Sequence, residues 1–168
     1  MKKFLETNFT NLMEKRFIII LLIISALVVV GFNIKIQGEA EYDLKNIFIK
    51  LDGKDYQLQS LVGKEDNFKE AAEEIYEQPQ LGRVLNYLKE MKRKGIYFKL
   101  NSVKYENIHV TDCSAEEAVL VVKTTVKGGY YSIKEPERKI KEVDLTSSFR
   151  VYMVNRDNKW KIRDIEFI

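Results

Sequence analysis

The sequence predicts an α+β domain carried behind an N-terminal transmembrane helix. Three observations predict it. A sixteen-residue apolar run, Phe17 to Phe32, follows a charged leader. Two segments with apolar residues at helical spacing come later, over 64–77 and 80–94. From Gly95 onward the period changes from helical to alternating, with neither βαβ alternation nor a glycine-rich phosphate loop. Two helices followed by a long antiparallel sheet place the helices on one face of that sheet.

The apolar run sets the expected location. At about 1.5 Å of helical rise per residue it spans roughly 24 Å, against a hydrocarbon core of about 30 Å. Extending it through Asn33 and Ile34 nearly closes that gap, and Lys15, Arg16 and Lys35 stand where snorkelling anchors are wanted. The expected transmembrane helix is therefore Phe17 to Ile34 (17–34), with 1–16 as a cytoplasmic leader. A cleaved signal peptide is the rival, because Gly38-Glu39-Ala40 offers a small-x-small site. The long leader and the charge of Lys35 oppose it. Lys2, Lys3, Lys15 and Arg16 precede the run, against Lys35, Lys45 and Lys50 after it. That bias predicts a single-pass protein of the cell membrane, N-terminus inside, with the C-terminal domain extracytoplasmic.

Composition narrows the function classes. The formal charge is +3, and the four cations and two acids of the leader account for two of those three charges. The remainder carries no field suited to nucleic acid. One cysteine, Cys113, and one histidine, His109, exclude an internal disulfide and a zinc site built from Cys and His. Stability has to come from packing, and the residues after the run suffice for one core.

Residues 35–62 are expected to form a linker with a β-hairpin. Ile47, Ile49 and Leu51 alternate with Phe48 and Lys50, Asp52-Gly53 suits a tight primed turn, and Tyr56 and Leu58 continue the return strand; the strands are 46–51 and 55–59. The main domain, 63–168, opens with the helix over 64–77, whose Phe68, Ala71, Ala72 and Ile75 share a face and which ends at Pro79. The helix over 80–94 presents Leu81, Val84, Leu85, Leu88 and Met91, gathers Lys89, Lys92, Arg93 and Lys94 in its last turn, and stops at Gly95. A long kinked strand follows from Ile96 to Val110, turning at Thr111-Asp112. Glu117 to Val126 reads as the most buried strand, broken by Gly128-Gly129. Lys141 to Val154 alternates, Asn155 to Asn158 turns, and Trp160 to Ile168 closes the sheet.

No catalytic, cofactor-binding or metal residue is expected, and no cofactor. His109 has no second histidine or nucleophile motif beside it. Cys113 sits among Asp112, Glu116 and Glu117, which do not favour a thiolate. Glu142 and Asp144 fall opposite Val143 and Leu145 and read as solvated; pointed into a cavity they would suit an isomerase-like pocket. Lys92, Arg93 and Lys94 are candidates for lipid contact, or simply complement the helix dipole. Tyr130 and Tyr131, read as a loop after Gly128-Gly129, are candidates for partner contact, or cap a sheet edge.

Several strings resemble a known family. Lys92-Arg93-Lys94-Gly95-Ile96-Tyr97-Phe98 runs a basic helix end into a Gly-aromatic strand. Tyr152-Met153-Val154-Asn155-Arg156-Asp157-Asn158-Lys159-Trp160-Lys161-Ile162 follows the pattern Tyr-x-Val-x-Arg-x-x-x-Trp-Lys-Ile. With the element order, these make residues 66–168 resemble a nuclear transport factor 2-like domain, and more narrowly the intermembrane-space domain of the chloroplast division proteins and their bacterial relatives. The chain departs from that pattern at Ile96 and Phe98, where tryptophans are usual, and in its short leader. The resemblance implies a cone-shaped domain (two helices packed on a curved antiparallel sheet) that binds a partner protein outside the membrane and does no chemistry. The expected function is a non-catalytic interaction or scaffold module of a bacterial envelope complex, with division as one setting and homo-oligomers allowed. The alternatives are a scaffold of a conjugation or secretion apparatus, and a small-molecule pocket protein or isomerase-like enzyme.

Overall fold

The hairpin expected over 46–59 is a helix. In the computed structural model, which describes residues 41–64 and 68–168, residues 41–60 are α-helical (α1). The apolar set that decides this is Leu44, Phe48, Leu51, Leu58 and Val62, all buried. Their spacing of three, four and seven residues lines one side of a helix, whereas a strand would have scattered them over both faces. Asp52-Gly53 makes no turn; a Cβ on Gly53 would meet nothing within 4 Å, so this glycine sits in the helix without a packing reason. Residues 43–62 thus belong to the same compact unit as the rest of the domain, Asp43–Ile168, and form no linker. The run Phe17 to Ile34 lies outside the described residues. Among those described, no helix is long and apolar enough to cross a membrane.

After α1 come a short helix, α2 (Lys69–Glu73), and α3 (Gln80–Arg93). α2 is shorter than the helix expected over 64–77; of the residues expected on its shared face, Phe68, Ala72 and Ile75 are buried, whereas Ala71 is exposed. α3 follows expectation: Leu81, Val84, Leu88 and Met91 are buried, and Gly95 closes it at φ +68°, a conformation that costs glycine nothing.

Four strands, β1 (Ile96–Cys113), β2 (Glu117–Ser132), β3 (Lys139–Arg156) and β4 (Lys159–Phe167), form one antiparallel meander in the order β1-β2-β3-β4. β1 is kinked as expected, by register shifts at Leu100/Ser102, Tyr105/Asn107 and Val110/Asp112. Thr111-Asp112 therefore lies at a bulge inside the strand, and the turn falls after Cys113. Such bulges increase the local twist.

Gly128 and Gly129 do not break β2, which continues to Ser132. Their role is clearance: a Cβ on Gly128 would come within 2.6 Å of both the Lys99 carbonyl oxygen and the Phe98 ring. The expected turn before the last strand narrows to Asp157 and Asn158, at φ +52° and +60°, the primed-turn conformation that Asp and Asn tolerate. On β4, Ile162 donates its N–H to the Ile75 carbonyl (2.8 Å) and accepts from the Glu77 N–H (2.9 Å), a single parallel bridge with Tyr76 that covers this edge.

The helices cover one face. Alternate residues of β2, Ala118, Leu120, Val122 and Thr124, are buried beneath them. The Phe48 ring of α1 packs on Tyr105 of β1 and Phe149 of β3, and Tyr56 packs on Phe98. Leu145, expected on the same buried side of β3, is on that face but 56% exposed, because β4 ends opposite Phe149 and leaves this stretch of β3 uncovered.

Candidate functional site

An open groove of about 630 Å³ lies where α1, α2 and the β3–β4 turn meet. Helical spacing puts Ile47, Leu51 and Lys54 of α1 along it, α2 and its C-cap add Glu70, Glu73 and Glu74, and the tight turn with the start of β4 delivers Asn158, Lys159, Trp160 and Lys161. Ile47, Leu51 and the half-buried Trp160 supply the apolar surface. Its charges are sorted: one wall is acidic and belongs to α2, the other basic and belongs to the turn. Lys54 bridges to Glu74 at 3.0 Å. The Lys54 hydrogen bond and charge, with Lys159 and Lys161 farther off, hold the Glu74 carboxyl below its usual range.

Trp160 is the one tryptophan of the chain. Expected on the strand that closes the sheet, it packs against the core and also lines this groove. Mistaking α1 for a hairpin hid the groove, because one wall of it comes from that helix.

The residues singled out from sequence are scattered. Tyr130 and Tyr131 are on strand β2, not a loop, and point to opposite faces of the sheet. Tyr130 packs edge-on against Phe98, and its hydroxyl shares a 2.9 Å hydrogen bond with that of Tyr87 on α3, which makes it a structural residue. Tyr131 stacks on Tyr97, centroids 5.8 Å apart, with the Lys99 ammonium 5.8 Å over its ring. This pair forms a half-exposed aromatic patch.

Lys92, Arg93 and Lys94 are exposed at the end of α3, but Arg93 is engaged by Glu90 at 2.7 Å. Glu142 and Asp144 are exposed and pair with Lys139 (3.7 Å) and Lys127 (3.1 Å), so neither is a pocket carboxylate. His109 is exposed on β1, and Cys113 is exposed at its end.

The sheltered carboxylates are Asp52 and Asp55 of α1. The Tyr105 hydroxyl donates to Asp52 at 2.6 Å, and the Gln59 amide donates to Asp55 at 2.6 Å. Tyr76 also hydrogen-bonds Asp55. Desolvation under the helix outweighs the Tyr105 hydrogen bond and pushes Asp52 up to about 6, and burial raises Asp55 as well. The two carboxylates disfavour each other's charge, and no ion pair reaches either among the described residues. Neither lines the groove, and no set of three potential metal ligands occurs among the described residues.

No family model matches the chain, and no curated protein matches it. Solved structures do. The intermembrane-space region of the chloroplast protein ARC6 aligns with 71% of this chain and 92% of its own, at TM-score 0.54 and 16% identity. The Kfla4162 protein of Kribbella flavida aligns over 73% of this chain and 88% of its own, at TM-score 0.48 and 10% identity. A protein from Catenulispora acidiphila aligns over 75% and 94%, at TM-score 0.42 and 10% identity. At such identities it is a fold that is shared: the chain has an α+β fold resembling that of the ARC6 intermembrane-space region.

Proposed function

We propose that this domain is a non-catalytic interaction module of a bacterial envelope complex, held at the membrane by Phe17 to Ile34, with its partner seated in the groove around Trp160. The observation that carries this reading is the groove itself. It is open, apolar along its α1 side and at Trp160, and walled by opposite charges on α2 and on the β3–β4 turn. Such a surface fits a protein segment with an apolar anchor and a charge of each sign, and aromatic anchors in partly enclosed pockets dominate interface energetics. The likeness to a domain that lies in an intermembrane space supports an envelope setting, and the resemblance to division proteins makes division the first process to test. Confinement to the membrane plane would let a weak interface suffice, by raising effective concentration.

The test is site-specific photo-cross-linking on intact cells. A photoreactive residue at Lys159, in the groove, is expected to capture one membrane protein. The same probe at Lys104, exposed on β1 and outside the groove, is expected to capture none. Trp160→Ala should reduce the adduct at 159 several-fold. Equal capture from both positions, or none from 159, overturns the assignment of the groove. Protease added to spheroplasts should degrade residues 33–168; protection would reverse the proposed orientation.

A further inference from the structure

We infer that the packing of α1 onto the sheet is proton-linked, tightening on acidification, through Asp52 and Asp55. Both lie three residues apart on the side of α1 that meets β1 and Tyr76, and both are surrounded by neutral donors. Facing Asp52 are the Tyr105 hydroxyl from β1, at 2.6 Å, and the Asp55 carboxylate. Facing Asp55 are Tyr76, from the segment after α2, and Gln59 of α1 itself at 2.6 Å. Tyr56 lies close to both, and Tyr87 of α3 faces Asp55 while sharing its hydroxyl hydrogen with Tyr130 of β2. The cation next to them in sequence, Lys54, turns away to Glu74 at 3.0 Å. A buried ion pair would have made this contact favour neutral pH. Two like charges held by tyrosines and an amide do the opposite.

The sign follows from linkage. A carboxyl whose value is higher in the docked state than in water contributes stability that is full below the ordinary value and is lost as pH rises through the docked one. For Asp52 those limits are 3.8 and about 6, and Asp55 moves in the same direction. The gap for Asp52 alone corresponds to about a hundredfold in the docking equilibrium between the acidic and neutral limits. Because α1 also supplies Ile47, Leu51 and Lys54 to the groove, the same protons would set the geometry of one groove wall. That consequence rests on the proposed groove; the latch does not.

Hydrogen exchange on the full-length protein, corrected for intrinsic rates, tests it without a partner. Between about pH 4.5 and 7.5, protection of amides in 50–60 is expected to fall at least about tenfold more than that of β2 amides 118–124. Asp52→Asn with Asp55→Asn should flatten this difference. Should that double variant fold poorly, Tyr105→Phe serves instead: it removes the donor that favours ionised Asp52, and should move the midpoint of the α1 transition upward in pH. Carbon-13 titration of the carboxyls supplies a direct midpoint, expected near 6 for Asp52. Parallel behaviour of α1 and β2, an undiminished α1 transition in the double variant, or ordinary carboxyl midpoints would each overturn the latch while leaving the groove untouched. Loss of cross-linking at 159 would overturn the groove while leaving the latch.

Discussion

The two faces of the sheet are built on different physics. Under the helices, Leu120 and Val122 have no accessible surface and Phe48 fits between Tyr105 and Phe149. On the middle of the opposite face, Lys123 pairs with Glu106 at 2.9 Å, the Thr125 and Thr146 hydroxyls meet at 2.7 Å, and Lys127 reaches Asp144 at 3.1 Å. The first face loses apolar area to water when it opens. The second exchanges protein partners for solvent at little cost. Asp52 and Asp55 are the exception that instructs: they place the chemistry of the wet face within the dry one.

The comparison can be pressed from its strongest point. Phe48→Ala is expected to lower unfolding free energy by about 3–5 kcal/mol, the range for large aromatic truncations in cores. Urea denaturation measures it, and a loss below about 1 kcal/mol would mean α1 adds little to the dry face. Gly128→Ala should cost about 1–3 kcal/mol by forcing apart the Phe98 ring and the Lys99 carbonyl, both 2.6 Å from the added carbon. A thermal melt unchanged by this variant would show that β2 has slack there.

Asp52→Asn should stabilise the domain at about pH 7.5 by roughly 1–2 kcal/mol, less than full desolvation because the side chain is only half-buried. The gain should shrink towards about pH 4, where the wild-type carboxyl is protonated in the folded state; a gain that grew on acidification would reverse the sign of the linkage. Lys123→Ala, on the wet face, should change stability by less than about 0.5 kcal/mol. A larger loss would show that the Glu106, Lys123 and Thr125 cluster acts as a network.

The sheet was far more legible than the segment before it. α3 announces itself through apolar residues three and four apart, Leu81, Val84, Leu88 and Met91, and through Gly95, and the final hairpin through Asp157-Asn158 between alternating runs. α1 could be read two ways. Ile47, Ile49 and Leu51 alternate over a few residues while Leu44, Phe48, Leu51, Leu58 and Val62 repeat helically over many, and Asp52-Gly53 tipped the short window towards a turn. The longer period is the more informative, because burial of a whole helix face outweighs the cost of about 1 kcal/mol for one glycine.

Misreading α1 also hid the site. Its groove residues and its two sheltered aspartates have no meaning until the helix places them. Glu142 and Asp144 were easier, since alternation against Val143 and Leu145 puts them on the solvated side. Gly128-Gly129 misled for a steric reason: glycine next to a bulky ring marks clearance as readily as a chain break.

How α1 is attached bears on how the domain would carry load. Among the described residues its ties to the sheet are side-chain contacts, among them Phe48 on Tyr105 and Phe149, Tyr56 on Phe98 and the Tyr105 hydrogen bond to Asp52, whereas each strand is zipped to its neighbour by backbone hydrogen bonds. A pull entering from the N-terminal side reaches this helix before any strand. It would yield by peeling, at a force well below that needed to shear the meander, and the chain would lengthen by the released helix while the four strands stayed paired.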